Sequence, residues 1–207
     1  MARVSQEILD NLLNDFRSEP HEYVVSKWIT ERVPVLFDGD EDLFRRTKLK
    51  IADLLGVDSC SIIFVGSSCT GFSLNPNKDC KVFDDSSDID IAVISHWHFT
   101  EAWHWLKVQN NTLLKGKTKK AYNSHRSHYI FDGTIATDQI LLYLPFGKEW
   151  RAAIQELEKD PVFRGLDIHF RLYQDHKSLI DYHISNIRNN LSILLGVQPE
   201  DKLLTNE

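Results

Sequence analysis

Ser87-Asp88-Ile89-Asp90-Ile91-Ala92-Val93-Ile94-Ser95 reads as a buried strand over Asp88–Ser95, with one irregularity at its start. Side chains alternate along a strand, so Asp88 and Asp90 share a face about 7 Å apart while Ile89 and Ile91 turn to the core. Two adjacent carboxylates repel. A divalent cation with a preference for hard oxygens, Mg²⁺ or Mn²⁺, is the usual relief for such a pair. A solvated sheet edge is the alternative reading.

The strand before it is Ser61-Ile-Ile-Phe-Val65, short, β-branched and aromatic, and it runs into Gly66-Ser67-Ser68-Cys69-Thr70-Gly71. Glycines in such a turn let backbone amides approach a phosphate closely. Phe72–Ser87, rich in Asn, Pro, Asp and Ser, reads as the connecting loop.

Working outward, apolar residues at helical spacing predict a first helix through Ile8, Leu9, Leu12, Leu13 and Phe16, with Ser5 as its N-cap. Further helices are expected over His21–Phe37, Glu41–Leu55, Phe99–Leu114 and Trp150–Leu157. Asp132-Gly133 between Tyr129-Ile-Phe131 and Thr134–Leu144 carries the signal of a β-hairpin. Leu166–Tyr173 alternates cleanly, with Leu166, Ile168, Phe170 and Leu172 on one face and Asp167, His169, Arg171 and Tyr173 on the other. A closing helix spans residues 175–195. The expected class is α+β, with N-terminal helices ahead of the strands and a long C-terminal helix. One domain over 1–207 is expected, with a helical part (1–56), a sheet core (61–173) and the final helix (175–195).

The 207 residues are 42% hydrophobic and 26% charged, enough for one sizeable core. No run approaches a membrane span, and the start lacks a signal-peptide core, so a cytoplasmic protein is expected. Three cysteines (Cys60, Cys69, Cys80) without a CxxC pair suggest packing groups rather than disulfides or zinc. His96, His98 and His104 lack a supporting acid or thiol set and likewise read as packing groups.

The net charge of −6 is unevenly spread. Between Ala102 and Phe131 there is no acid, while Lys107, Lys115, Lys117, Lys119, Lys120 and Arg126 fall there, leaving 18 of the 24 basic residues against all 30 acids elsewhere. Lys115, Lys117, Lys119, Lys120 and Arg126 suit an RNA end or another polyanionic acceptor; a solvated face is the plainer alternative.

Gly66-Ser67 with Gly71, followed by Ser87-Asp88-Ile89-Asp90-Ile91, resembles the hallmark of the DNA-polymerase-β-like nucleotidyltransferase superfamily. The resemblance covers Phe64–Ile94. It implies a nucleotidyltransferase-type mixed β-sheet flanked by helices, two Mg²⁺ (or Mn²⁺) ions, and transfer of a nucleoside monophosphate from an NTP such as ATP to an acceptor hydroxyl, with release of pyrophosphate. It further implies that Gly66 and Ser67 bind the nucleotide and that Asp88 and Asp90 bind metal. A third carboxylate from a later strand completes the set, and Asp167 and Asp138 compete for it. Asp167 is favoured because its neighbours Leu166 and Ile168 face the core. Two features depart from the pattern: the Gly71–Ser87 connection is long and carries Asp79, Asp84 and Asp85, and Ser68-Cys69-Thr70 lacks the arginine of minimal antitoxin-type members. The rival reading is a catalytically inactive nucleotide-binding or regulatory module of the same fold, one half of a toxin–antitoxin or defence pair with a protein partner. A haloacid-dehalogenase-type phosphatase fits less well, because the acidic strand leads into Ala92-Val93 rather than Gly-Thr.

Overall fold

Asp90 is the one exposed residue of β2 (Ile89–Ile94), whose other members are buried because helices cover both faces of the sheet. A computed structural model describes residues 6–75, 78, 80–109, 113–163 and 165–194. The remaining strands are β1 (Ile62–Val65), β3 (Thr134–Ala136) and β4 (Ile168–Tyr173), in the order β1-β2-β4-β3. β2 runs antiparallel to β1 and parallel to β4, and β3 runs antiparallel to β4. The chain is therefore α+β with a mixed sheet flanked by helices, as the sequence predicts.

The helices are α1 (Gln6–Ser18), α2 (His21–Val25), α3 (Glu41–Leu55), α4 (Ser67–Thr70), α5 (His96–Val108), α6 (Gly116–Ser124), α7 (Gly147–Leu157) and α8 (His176–Leu194). One sheet face presents Ile62, Phe64, Ile89, Ile91, Phe170 and Leu172 to α3, α5 and α7. The other presents Ile63, Val65, Ala92, Ile94 and Tyr173 to α1, α2 and α8. Burial on both faces explains why β2 reads as a continuous apolar run after Asp90. Local chemistry ends the helices cleanly. Asp40 accepts from Leu43 N at 2.9 Å to start α3, Gly56 at φ 66° closes it, and Ser95 accepts from His98 N at 3.3 Å to start α5.

Several expectations are corrected. The residues of His21–Phe37 do not form one helix: a π turn (Ser26–Thr30) follows α2, and the chain breaks before Pro34 and a 3₁₀ turn (Val35–Phe37). α5 begins three residues earlier than its apolar anchors suggest, because Ser95 caps it, and it ends at Val108. The hairpin at Asp132-Gly133 is absent. Tyr129 belongs to a π turn (His125–Tyr129) that continues α6, and Ile140–Leu142 enters a 3₁₀ turn instead of a strand. The buried ring of His125 holds this arrangement: Nδ1 lies 2.6 Å from Ala121 O, and Nε2 accepts from Ala136 N at 3.0 Å. Those partners require a neutral ring, and burial keeps its pKa below the usual value. Within the stretch read as a loop, Phe72 forms a bridge with Val82, and Phe72 and Phe83 are buried. Ser5, Asp79 and residue 195 lie outside the described residues.

His98 packs against Phe146 and Trp150, with ring centres at 4.8 and 5.2 Å, a packing role as expected. Cys69 is buried, contacts the Trp28 and Ile29 carbonyls, and burial pushes its thiol pKa up to about 12. Among the described residues no helix is long and apolar enough to cross a membrane.

Candidate active site

The register of the sheet brings four polar side chains to one edge. Asp90 pairs with Val65 on β1 and with His169 on β4, and Ile89 N donates to Asp167 O at 2.8 Å. Partners in register share a face, so alternation places Asp90, His169 and Arg171 on the same side, with Asp88 near enough to act on the Asp90 carboxyl, whereas Asp167, just before β4, meets β2 through its backbone carbonyl.

Gly66 follows Val65 directly and turns the chain beside Asp90. Its φ of 65° favours glycine, and a Cβ there would lie 2.6 Å from Asp90 Oδ2. The turn beyond it is stitched from within. Ser68 Oγ donates to Val65 O at 3.0 Å, and Thr70 Oγ1 donates to Phe72 O at 2.7 Å. Both hydroxyls are buried, whereas Ser67 is half-buried and, among the described residues, its hydroxyl is free of protein partners. Cys69 N and Thr70 N donate to Gly66 O at 3.2 and 3.1 Å, so Ser67 N and Ser68 N are the α4 amides with no acceptor inside the turn.

The electrostatics of this edge are uneven. Asp90 is open to water yet crowded by protein, as a group on the floor of a cleft is, and desolvation raises its carboxyl pKa. Asp88 and Asp138 add to the rise, whereas His169 and Arg171 oppose it. His169 Nδ1 stands 3.2 Å from Asp138 Oδ1. That contact lifts the imidazole pKa to about 8, against the opposing effect of burial, and it holds the Asp138 carboxyl below its usual range. Behind His169, the Arg171 guanidinium lies between the Tyr182 and Tyr129 rings, at 4.9 and 5.6 Å from their centres. Among the described residues its buried Nη1 has no hydrogen-bond partner.

The sequence reading does not single out His169 and Arg171, although the polar face Asp167-x-His169-x-Arg171 contains the signal. Asp138 enters through His169 rather than through a strand of its own. Among the described residues, no three His, Cys, Asp or Glu side chains converge as the full protein ligand set of one ion. Asp88 and Asp90 nonetheless fit a Mg²⁺-type ion: they supply hard oxygens, and the missing side chain of Gly66 leaves room against Asp90 Oδ2. Mg²⁺ commonly takes one or two carboxylates and completes its shell with phosphate oxygens and water. No protein-family model, no curated protein and no solved structure matches the chain.

Proposed function

We propose that this chain is a metal-dependent nucleotidyltransferase, acting in a cytoplasmic setting, that moves a nucleoside monophosphate from an NTP to an acceptor hydroxyl. The observation that carries the reading is the contact of Gly66 with Asp90. A glycine turn beside a strand carboxylate, with Asp88 near it and the Asp167 carbonyl bonded to Ile89 N, supports reading this end of the sheet as a place for phosphate and cation.

In this reading Ser67 and the amides beside Gly66 hold the β- and γ-phosphates, and Asp88 and Asp90 hold the divalent ions against the triphosphate. The ions supply neutralisation of phosphate charge and a lowered pKa for the acceptor hydroxyl. Asp167 is assigned the role of completing the acceptor side of the cleft and receiving the hydroxyl proton. The acceptor oxygen bonds to the α-phosphorus, the bond to the bridging oxygen breaks, and pyrophosphate leaves with that electron pair. His169 and Arg171 offset the carboxylate charge around Asp90.

The test is incubation with each α-labelled NTP and Mg²⁺ or Mn²⁺, beside the Asp88→Ala/Asp90→Ala variant, resolving labelled protein, RNA and small products. Label transferred by the wild type alone is expected. Equal transfer by the double variant would remove the site. The second reading, a catalytically inactive nucleotide-binding module, is favoured by the absence of a converging third carboxylate among the described residues. Nucleotide binding without transfer under every condition would select it.

A further inference from the structure

A second cavity, of about 220 Å³, is lined by Trp103, Leu106 and Lys107 on α5 and by Arg126, Ile130 and Phe131 from the π turn and the residues after it. Its walls combine aromatic surface with two cations. Phe131 is 80% exposed, so much of its ring is open to a ligand. Lys107 Nζ lies 5.2 Å from the Trp103 ring centre. The Arg126 guanidinium lies 5.6 Å from the Tyr122 ring, and Nη1 donates to the Tyr122 hydroxyl at 2.8 Å, which itself donates to Gln109 O at 3.0 Å. Arg126 is therefore held at the cavity by a buried tyrosine rather than free in solvent. Among the described residues neither Lys107 nor Arg126 has a carboxylate partner, consistent with the acid-free interval from Ala102 to Phe131.

We infer that this cavity receives one nucleotide of a single-stranded RNA, its base against Trp103 and Phe131 and its phosphate between Lys107 and Arg126. Flat aromatic surface accepts any base, and fixed cations accept the phosphate that follows it. A lone nucleotide would not explain what continues beyond the cavity: Lys115, just before α6, and Lys117, Lys119 and Lys120 along it are all exposed, a run of cations for neighbouring phosphates. Nothing at the cavity is arranged to read base edges, so binding is tolerant of sequence. The inference deepens the proposed function by naming its acceptor, and to that extent it rests on that reading.

Binding is measured by fluorescence anisotropy of a short 5′-labelled oligoadenylate on the full chain, with EDTA present and no NTP, so that transfer chemistry plays no part. The wild type is expected to bind, with an affinity that falls steeply as salt is added. Phe131→Ala is expected to weaken binding roughly tenfold. Lys107→Glu/Arg126→Glu is expected to weaken it at least as much, and both variants should keep the wild-type melting curve. Asp88→Ala/Asp90→Ala should bind as the wild type does, even where it abolishes transfer. The inference is overturned by no binding, or by either cavity variant binding like the wild type. Polyglutamate displacing the oligomer as well as RNA does would show a site for charge alone, and AMP displacing it at equal molarity would show a free-nucleotide site; either overturns it too. Loss of all transfer with oligomer binding intact sinks the transferase reading and leaves the RNA site standing.

Discussion

A side chain at position 66 would meet Asp90 Oδ2 at 2.6 Å from a backbone already at φ 65°. Gly66→Ala is therefore expected to lower stability by about 1–3 kcal/mol and to abolish nucleotide binding, read by thermal unfolding and by titration with labelled NTP. His169 offers a second check. Its pKa is raised in the fold to about 8, so its pairing with Asp138 stabilises fully below the unfolded value near 6.5 and fades as pH rises through about 8. Both side chains are partly wetted, at 39% and 43% exposure, so the effect is small, about 0.5 kcal/mol. NMR titration in EDTA should show the imidazole midpoint near 8 falling toward its ordinary value in Asp138→Asn. If the midpoint stays put, the pair does not set it. At this scale the facing of Asp90 away from the buried Ile89 and Ile91 was legible, because alternation is local. The meeting of Asp138 with His169 was not, because it depends on β3 lying beside β4.

Elements were legible where one period dominated and illegible where a tertiary partner decided. Asp132-Gly133 carries hairpin chemistry, but His125 holds the preceding residues in a π turn, so Gly133 serves another purpose. At φ 63° it lets α8 approach: a Cβ there would lie 2.3 Å from Ser178 Oγ and 2.8 Å from Ser178 Cβ. Gly133→Ala is expected to cost roughly 2–3 kcal/mol by urea unfolding. Adding Ser178→Gly should restore part of that. The recovery is incomplete because the backbone strain remains and the Ser178 Oγ bond to Asp175 Oδ1, 2.8 Å long, is lost. No recovery at all would mean that the overlap with α8 is not the cause.

The two helical layers share one sheet, and β2 contributes to both, through Ile91 on one side and Ala92 on the other. Ile91→Ala and Leu179→Ala, each fully buried but in opposite layers, are expected to cost about 2–4 kcal/mol apiece. Each should move a single transition seen alike by far-UV circular dichroism and tryptophan fluorescence. Two separated transitions would mean that the layers unfold independently. The α+β class was readable because helical stripes give way to short β-branched and alternating runs, and the flanked mixed sheet followed from the resemblance of the glycine turn and acidic strand. The order of the strands was not, since β4 enters between β2 and β3 from late in the chain. That insertion has a kinetic consequence. Asp90 and His169, neighbours in the sheet, are 79 positions apart in the chain, so the β2–β4 pairing closes a long loop before any contact rewards it. On a ribosome the acid pair emerges well before its counter-charges, and the cleft forms among the last parts of the molecule to fold.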